Sequence, residues 1–303
     1  MRSPRCTLVL ALMALFLVSC THATDRRFEK KFSVSAGGKL SLKTDAGSVR
    51  VTGSSSDEVS IVADIRGRER MVNGFEITAD KDGEGVTVVG RSNKHGSWFF
   101  GSNEDLDVEF TVKVPHAYNI AVETSGGNVS VSDVAGSVRA ATSGGEAEAT
   151  SIDGPLDLGT SGGNVKADGV NGEARLETSG GDARARNVKG NVTMSTSGGN
   201  VEAVDIEGKV RAETSGGNVR VKVKGPNKGV HAETSGGNIE VVIPKGVGAE
   251  IDAGTSGGDV VCDMPITTSG RLSDSHIRGS VNGGGEMIYA HTSGGDVRIR
   301  PGE

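Results

Sequence analysis

The sequence predicts an all-β protein, a single-stranded β-solenoid (β-helix) with ~18-residue coils behind a less regular amino-terminal β region. Three observations predict it. The tetrad Thr-Ser-Gly-Gly starts at Thr124, Thr142, Thr160, Thr178, Thr196, Thr214, Thr234, Thr255 and Thr292; the first five intervals are 18 residues, the next two 20 and 21, and the last 37. Between tetrads, apolar and polar residues alternate with the period of two that marks a strand with one buried face. Glycine supplies 47 of 303 residues, whereas Phe, Tyr and Trp together supply ten, none of them between Tyr118 and Tyr289. A core without rings over that length is thin and made of Val, Ala, Ile and Leu. The glycines lack the every-third spacing of collagen, and their frequency argues against long helical bundles.

One unit shows the pattern. After Gly126-Gly127-Asn128, Val129 and Val131 alternate with Ser130 and Ser132. Asp133 marks a bend, Val134 follows and Gly136 punctuates; Val138 and Ala140 then alternate with Arg139 and Ala141 into Thr142. Ala147, Ala149, Ile152, Gly154, Leu156 and Leu158 take the same places one unit later. Each unit therefore holds two short strands. Its few small apolar side chains cannot offset the entropy of ordering its backbone. Stability must come from stacking, with each strand paired to its copy in the next unit. A β-propeller blade would need about 40 residues and four strands.

Parity assigns roles within the tetrad. Thr142 continues the inward side of Val138 and Ala140, predicting an internal threonine ladder with the tetrad serines outside. The glycine pair fits a tight corner where φ is positive and a Cβ would obstruct. The next position reads Asn128, Glu146, Asn164, Asp182, Asn200, Asn218, Asn238, Asp259 and Asp296. Stacked side chains there predict a hydrogen-bonded ladder along the axis; the alternative is a cation-binding row of carboxylates. Thr268-Ser269-Gly270 reads as a degraded tetrad. Val297 to Arg300 reads as a terminal edge, blunted by Arg298 and Arg300, where another chain could pair.

Residues 28–115 form the irregular amino-terminal β region, expected to act as early coils and a cap, and 116–303 the regular repeat. Thr44 to Val51 is a worn copy of the unit, and Val59 to Ala63, Val86 to Val89 and Phe110 to Val114 read as strands. Residues 92–105 are an insertion carrying Trp98, Phe99 and Phe100. These rings read as a plug for the open end of the solenoid or, alternatively, as a contact loop for a partner, glycan or membrane.

The first 19 residues read as a lipoprotein signal peptide. Arg2 and Arg5 precede an apolar run from Leu8 to Val18, too short to span a bilayer. Leu17-Val18-Ser19-Cys20 resembles a bacterial lipobox, which makes Cys20 the expected lipidation site and 20–27 a short linker. The alternative is an ordinary secretory signal cut near Ala23. Several acyl chains would hold the mature chain on a membrane, and Thr21 after the cysteine fits the outer membrane, with the rod facing periplasm or medium. With Cys6 removed and Cys20 lipidated, Cys262 has no disulfide partner and reads as a small buried residue.

The formal charge is −6, and loss of two leader arginines makes it −8, which argues against nucleic acid as a partner. The six histidines share no metal-ligand spacing and read as surface-turn residues; no metal, cofactor or catalytic residue is expected. The tetrad serines form no nucleophile elbow, and no Walker-type loop occurs.

Val114-Pro115, then Asn119 to Val122 running into Thr124-Ser125-Gly126-Gly127-Asn128-Val129, resembles the bacterial putative-adhesin family, catalogued as a domain of unknown function. The resemblance covers about Phe32 to Arg300. It implies a right-handed β-solenoid in the cell envelope and offers no catalytic residues to carry over. The expected function is a lipid-anchored, non-enzymatic, adhesin-like interaction or scaffold protein for an unknown protein or glycan partner. Variable outward residues such as Arg139, Asp157, Lys166, Arg175, Glu202 and Arg211 would form its faces. The alternative is a β-helix polysaccharide lyase or hydrolase, which would need paired carboxylates in a cleft and aromatic platforms for sugar rings.

Overall fold

The computed structural model describes residues 23–83, 85–93, 106–268 and 273–302. The leader, Cys20 and the Trp98-Phe99-Phe100 segment lie outside the described residues. The amino-terminal region comprises β1 (Ala23–Ser33), β2 (Lys39–Thr44), β3 (Ser48–Ser54), β4 (Glu58–Arg68), the short helix α1 (Glu69–Asn73), β5 (Phe75–Asp82), β6 (Gly85–Ser92) and β7 (Leu106–Pro115). The repeat begins with β8 (Asn119–Thr124), β9 (Val129–Ala135), β10 (Val138–Thr142), β11 (Ala147–Asp153), β12 (Leu156–Thr160), β13 (Val165–Asn171) and β14 (Ala174–Glu177). It continues through β15 (Ala183–Val188), β16 (Val192–Thr196), β17 (Val201–Ile206), β18 (Val210–Thr214), β19 (Val219–Val223), β20 (Val230–Thr234) and β21 (Ile239–Ile243). The carboxy-terminal part adds β22 (Ala249–Thr255), β23 (Val260–Cys262), β24 (Ile266–Thr268), β25 (His276–Val281), β26 (Met287–Thr292) and β27 (Val297–Pro301).

Each coil gives one strand to each of two sheets, so the chain is a β-solenoid. The first sheet runs β1-β4-β7-β3-β9-β11-β13-β15-β17-β19-β21-β27-β23, and the second β24-β25-β22-β26-β20-β18-β16-β14-β12-β10-β8-β2-β6-β5. Pairing within the repeat is parallel and in register: Ile120, Val138 and Leu156 align, as do Thr124, Thr142 and Thr160. The inward residues of both sheets meet in one continuous buried core. Bends between half-coils fall on Asp133, Ser151, Asn187 and Asp205, all near φ +50° to +60°, with Gly169 at the equivalent place. Short polar side chains tolerate that left-handed region best.

The tetrad works through a hydroxyl bridge. The Thr160 hydroxyl donates to the Gly145 carbonyl of the adjacent coil at 2.7 Å and accepts the Gly163 N–H of its own coil at 3.4 Å. Thr142, Thr178, Thr196, Thr214 and Thr234 repeat both bonds. The threonines point inward as the parity predicted, but the ladder runs threonine to glycine. The glycine requirement meets the expectation of an obstructed Cβ and departs from it in backbone angle. Positive φ holds at Gly47 and Gly127, whereas the later second glycines are needed for close approach. A Cβ on Gly163 would lie 2.2 Å from the Gly145 carbonyl oxygen.

Both ends depart from simple winding. The coil of β2 and β3 lies between that of β6–β7 and that of β8–β9, and the coil of β26 and β27 lies between β20–β21 and β22–β23. The sequence reading that placed a terminal edge at Val297 to Arg300 is therefore overturned: β27 pairs with β21 on one side and β23 on the other. The 37-residue interval spans the excursion that makes this possible. After β22 and β23 the chain adds β24 and β25, antiparallel strands, and returns one layer inward. Thr268 thus ends an antiparallel strand and lies outside the threonine ladder, correcting its reading as a degraded tetrad. At the other end β4 pairs antiparallel to β7 and β5 to β6. Phe75, Phe110 and Tyr118 are buried there, and Gly90 leaves the room that the Phe75 and Phe110 rings occupy. No helix among the described residues is long and apolar enough to cross a membrane.

Thr178→Val should lower stability by about 1–3 kcal/mol, because it strands a buried carbonyl and an N–H, and Thr178→Ser should restore most of it. Gly145→Ala, whose Cβ would meet the Gly127 carbonyl oxygen at 2.1 Å, should destabilise while Gly144→Ala, with nothing within 4 Å, should not. Denaturation midpoints of the four variants check both contrasts.

Candidate functional site

On the second sheet, the residues three and one before each ladder threonine face outward. In β18 these are Arg211 and Glu213, in β20 His231 and Glu233, in β26 Tyr289 and His291, and in β22 Asp252 and Gly254. The antiparallel β25 supplies Arg278 opposite Asp252 and His276 opposite Gly254. Because β26 sits between β20 and β22, these residues form one patch at the carboxy-terminal end of the sheet.

Three rings stack in a row, His231 on β20 and Tyr289 and His291 on β26. His231 and Tyr289 have centroids 4.7 Å apart at 8°, and Tyr289 and His291 4.2 Å apart at 18°. Imidazoles meet carboxylates on both sides of Tyr289. His291 Nε2 lies 3.0 Å from Asp252 Oδ1, and His276 Nε2 lies 3.8 Å from the same oxygen. Arg278 Nε stands 4.0 Å from Oδ2. His231 Nε2 lies 3.3 Å from Glu213 Oε1 and 3.4 Å from Glu233 Oε2, yet neither is aligned for a hydrogen bond and the nitrogen itself is buried. In each group, Asp252–His276–His291 and Glu213–His231–Glu233, the donor atoms lie within 4.8 Å of one another.

Sequence reasoning missed this patch and set these histidines on turns. His231 and His291 instead stand within strands and His276 opens one. Counting back from each tetrad threonine would have marked positions 231, 252, 289 and 291 as outward; nothing in the repeat shows that β26 lies between β20 and β22. His116 is in a turn as expected, its Nδ1 2.6 Å from the Asp133 carbonyl oxygen. His22 and His95 lie outside the described residues, as do Cys20, Trp98, Phe99 and Phe100. Cys262 is half-buried on β23, where burial pushes its thiol up and away from the reactive thiolate.

The Asn/Asp row is a ladder of side-chain oxygens on backbone donors. Asn164 Oδ1 accepts the Asp182 N–H at 2.8 Å, Asp182 Oδ1 the Asn200 N–H at 2.8 Å, and Asn200 Oδ1 the Asn218 N–H at 2.9 Å. Amide-to-amide contacts are longer, 3.3 Å from Asn218 Nδ2 to Asn200 Oδ1. An oxygen suffices for the contact, and Asp182 and Asp296 supply it as the asparagines do. The Asn200 N–H, followed by the Arg184 guanidinium, holds the Asp182 carboxyl below the usual carboxylate range.

The architecture defines a class: a β-solenoid of stacked threonine–glycine coils, closed at both ends by antiparallel strands. The chain belongs to the Toastrack DUF4097 family, which matches residues 37–300. Among solved structures, it is similar to a putative cell adhesion protein from Clostridium sporogenes ATCC 15579, at 16% identity over 92% of this chain and 100% of that one, with a TM-score of 0.28. It is also similar to a putative adhesin from Bacteroides fragilis NCTC 9343, at 14% identity over 91% and 97%, with a TM-score of 0.43. A putative lipid binding protein from Parabacteroides distasonis ATCC 8503 matches at 14% identity over 91% and 97%, with a TM-score of 0.47. No curated protein matches the chain at a significant level.

A folded-state pKa depressed at Asp182 means stability that is present above the unfolded carboxylate's pKa and lost as pH falls through the folded value. Asp182→Asn keeps the acceptor for Asn200 but cannot be protonated. Its stability relative to wild type should therefore be constant at neutral pH and improve only under acid, as paired unfolding curves across pH will show.

Proposed function

We propose that this chain is a non-enzymatic interaction or scaffold protein of the cell envelope, tethered to a membrane by lipid on Cys20 and presenting its sheet faces to a protein or glycan partner. One observation carries the reading. In-register stacking turns outward positions, which vary from coil to coil, into continuous rows at the ~4.8 Å strand spacing. On the first sheet Lys166, Arg184, Glu202, Arg220, Glu240 and Arg298 are successive neighbours. Their charges are cross-linked: Arg184 reaches Glu202 at 3.5 Å, Arg220 reaches Glu240 at 3.4 Å, and Arg300 reaches Glu240 at 2.5 Å. Exposed ion pairs of this kind contribute little to stability. Their value lies in holding a fixed pattern of charge on a rigid face, which suits recognition of an extended partner.

Three experiments test the reading. Cell fractionation should find the wild-type chain with membranes and Cys20→Ser in the soluble fraction; unchanged retention of the variant defeats the anchor. Neutralising Glu202 and Glu240 together as glutamine should weaken binding of the full chain to isolated envelopes several-fold, while the unfolding midpoint stays within about 0.5 kcal/mol of wild type. Turnover of a cell-wall or capsular glycan that a single carboxylate substitution abolishes would overturn the non-enzymatic part.

A further inference from the structure

We infer that Asp252, His276 and His291 form a binding site for a divalent transition metal of the zinc class, with one coordination position open to solvent. Three observations converge on it. The donors are two imidazoles and one carboxylate, the mixed nitrogen and oxygen set that suits such ions. Their spacing is close to what an ion requires. Bonds of about 2.0–2.2 Å in a tetrahedral site set donor atoms about 3.3–3.6 Å apart, and Asp252 Oδ1 stands 3.0 Å from His291 Nε2 and 3.8 Å from His276 Nε2.

The third observation is the gap between the histidines. His291, Gly254 and His276 are neighbours across β26, β22 and β25, and the central strand carries no side chain at that outward place. A Cβ on Gly254 would lie 2.7 Å from His291 Cε1, 2.8 Å from His291 Nδ1 and 3.1 Å from His276 Nδ1. The glycine thus lets two rings from flanking strands lean together over a third, with both Nε2 atoms toward Asp252. No coil contact explains this glycine, because its Cβ would meet rings instead of stacked backbone.

The surroundings fit the role. Arg278 faces Asp252 Oδ2, weakening the attraction for a cation but leaving Oδ1 to the imidazoles. Tyr289 stacks on His291 and holds its ring plane. Each histidine would bind as the neutral ring, through the Nε2 lone pair with the ring proton on Nδ1. The second group, Glu213–His231–Glu233, offers a single nitrogen, and Arg211 already contacts Glu213. The inference stands apart from the proposed function, because an ion could bind whether or not the chain serves as a scaffold.

The test uses the full chain, stripped with EDTA, dialysed and titrated with zinc chloride by calorimetry, and with cobalt(II) by absorption. A single zinc ion should bind per chain, and cobalt should give the spectrum of a four-coordinate nitrogen and oxygen site. His276→Ala and His291→Ala should each weaken zinc binding at least about tenfold. Gly254→Ala removes no donor, yet it should weaken binding as well by displacing the His291 ring. His231→Ala should bind as wild type does. A wild-type chain that takes up no zinc overturns the inference, as does a His231→Ala variant weakened as much as His291→Ala. Unfolding midpoints in EDTA establish that each variant is folded; if His291→Ala fails there, His291→Gln is read in its place.

Discussion

The threonine hydroxyl that joins one coil to the next is the contact on which the architecture rests. It accepts an N–H from its own glycine corner and donates to the carbonyl of the neighbouring corner, so two buried backbone groups depend on one side chain. The bridge forms only if the corners approach more closely than a Cβ would permit. Threonine and glycine therefore require each other. Together they fix the distance and the register between coils, and every other row in the molecule follows from that register.

A uniform interior leaves the exterior free to vary. Within the repeat, inward places other than the ladder threonines hold Val, Ala, Ile, Leu or Met of compatible size, because each abuts its copy above and below. Outward places touch only their flanking neighbours, so charge can alternate along the first sheet while rings gather at one end of the second. The His231–Tyr289–His291 stack is such a local departure. It draws on β20 and β26, which are far apart in the chain and adjacent in the sheet.

Much of this was legible before the coordinates. The inward parity of Val129, Val138 and Thr142, the outward serines, the bend at Asp133 and the axial row at Asn128 all follow from alternation between tetrads. Coil order was not legible. Each coil exposes the same hydrogen-bonding edge, so β20 could accept β22 as readily as the β26 it pairs with, and the sequence of the strands alone cannot rank the alternatives. What decides is the long excursion through β24 and β25, and its antiparallel pairing depends on tertiary contacts more than on local preference. The convergence of His276, His291 and Asp252 was hidden for the same reason. The tetrad glycines were read for two causes at once, an obstructed Cβ and a positive φ; the obstruction holds along the repeat, whereas alternation could not show that positive φ stops after Gly127.

Tucking the first and last coils one layer inward has a consequence for how such a rod can change size. A repeat appended at either extremity would have to be accommodated by an antiparallel closure built for a different neighbour. A repeat duplicated anywhere between β8 and β21 meets identical partners above and below and leaves both closures intact. Length in this architecture is thus adjustable from the middle, like a telescope with fixed end-caps, and the metal-ligand cluster would travel outward with its cap, unchanged, as the shaft grew.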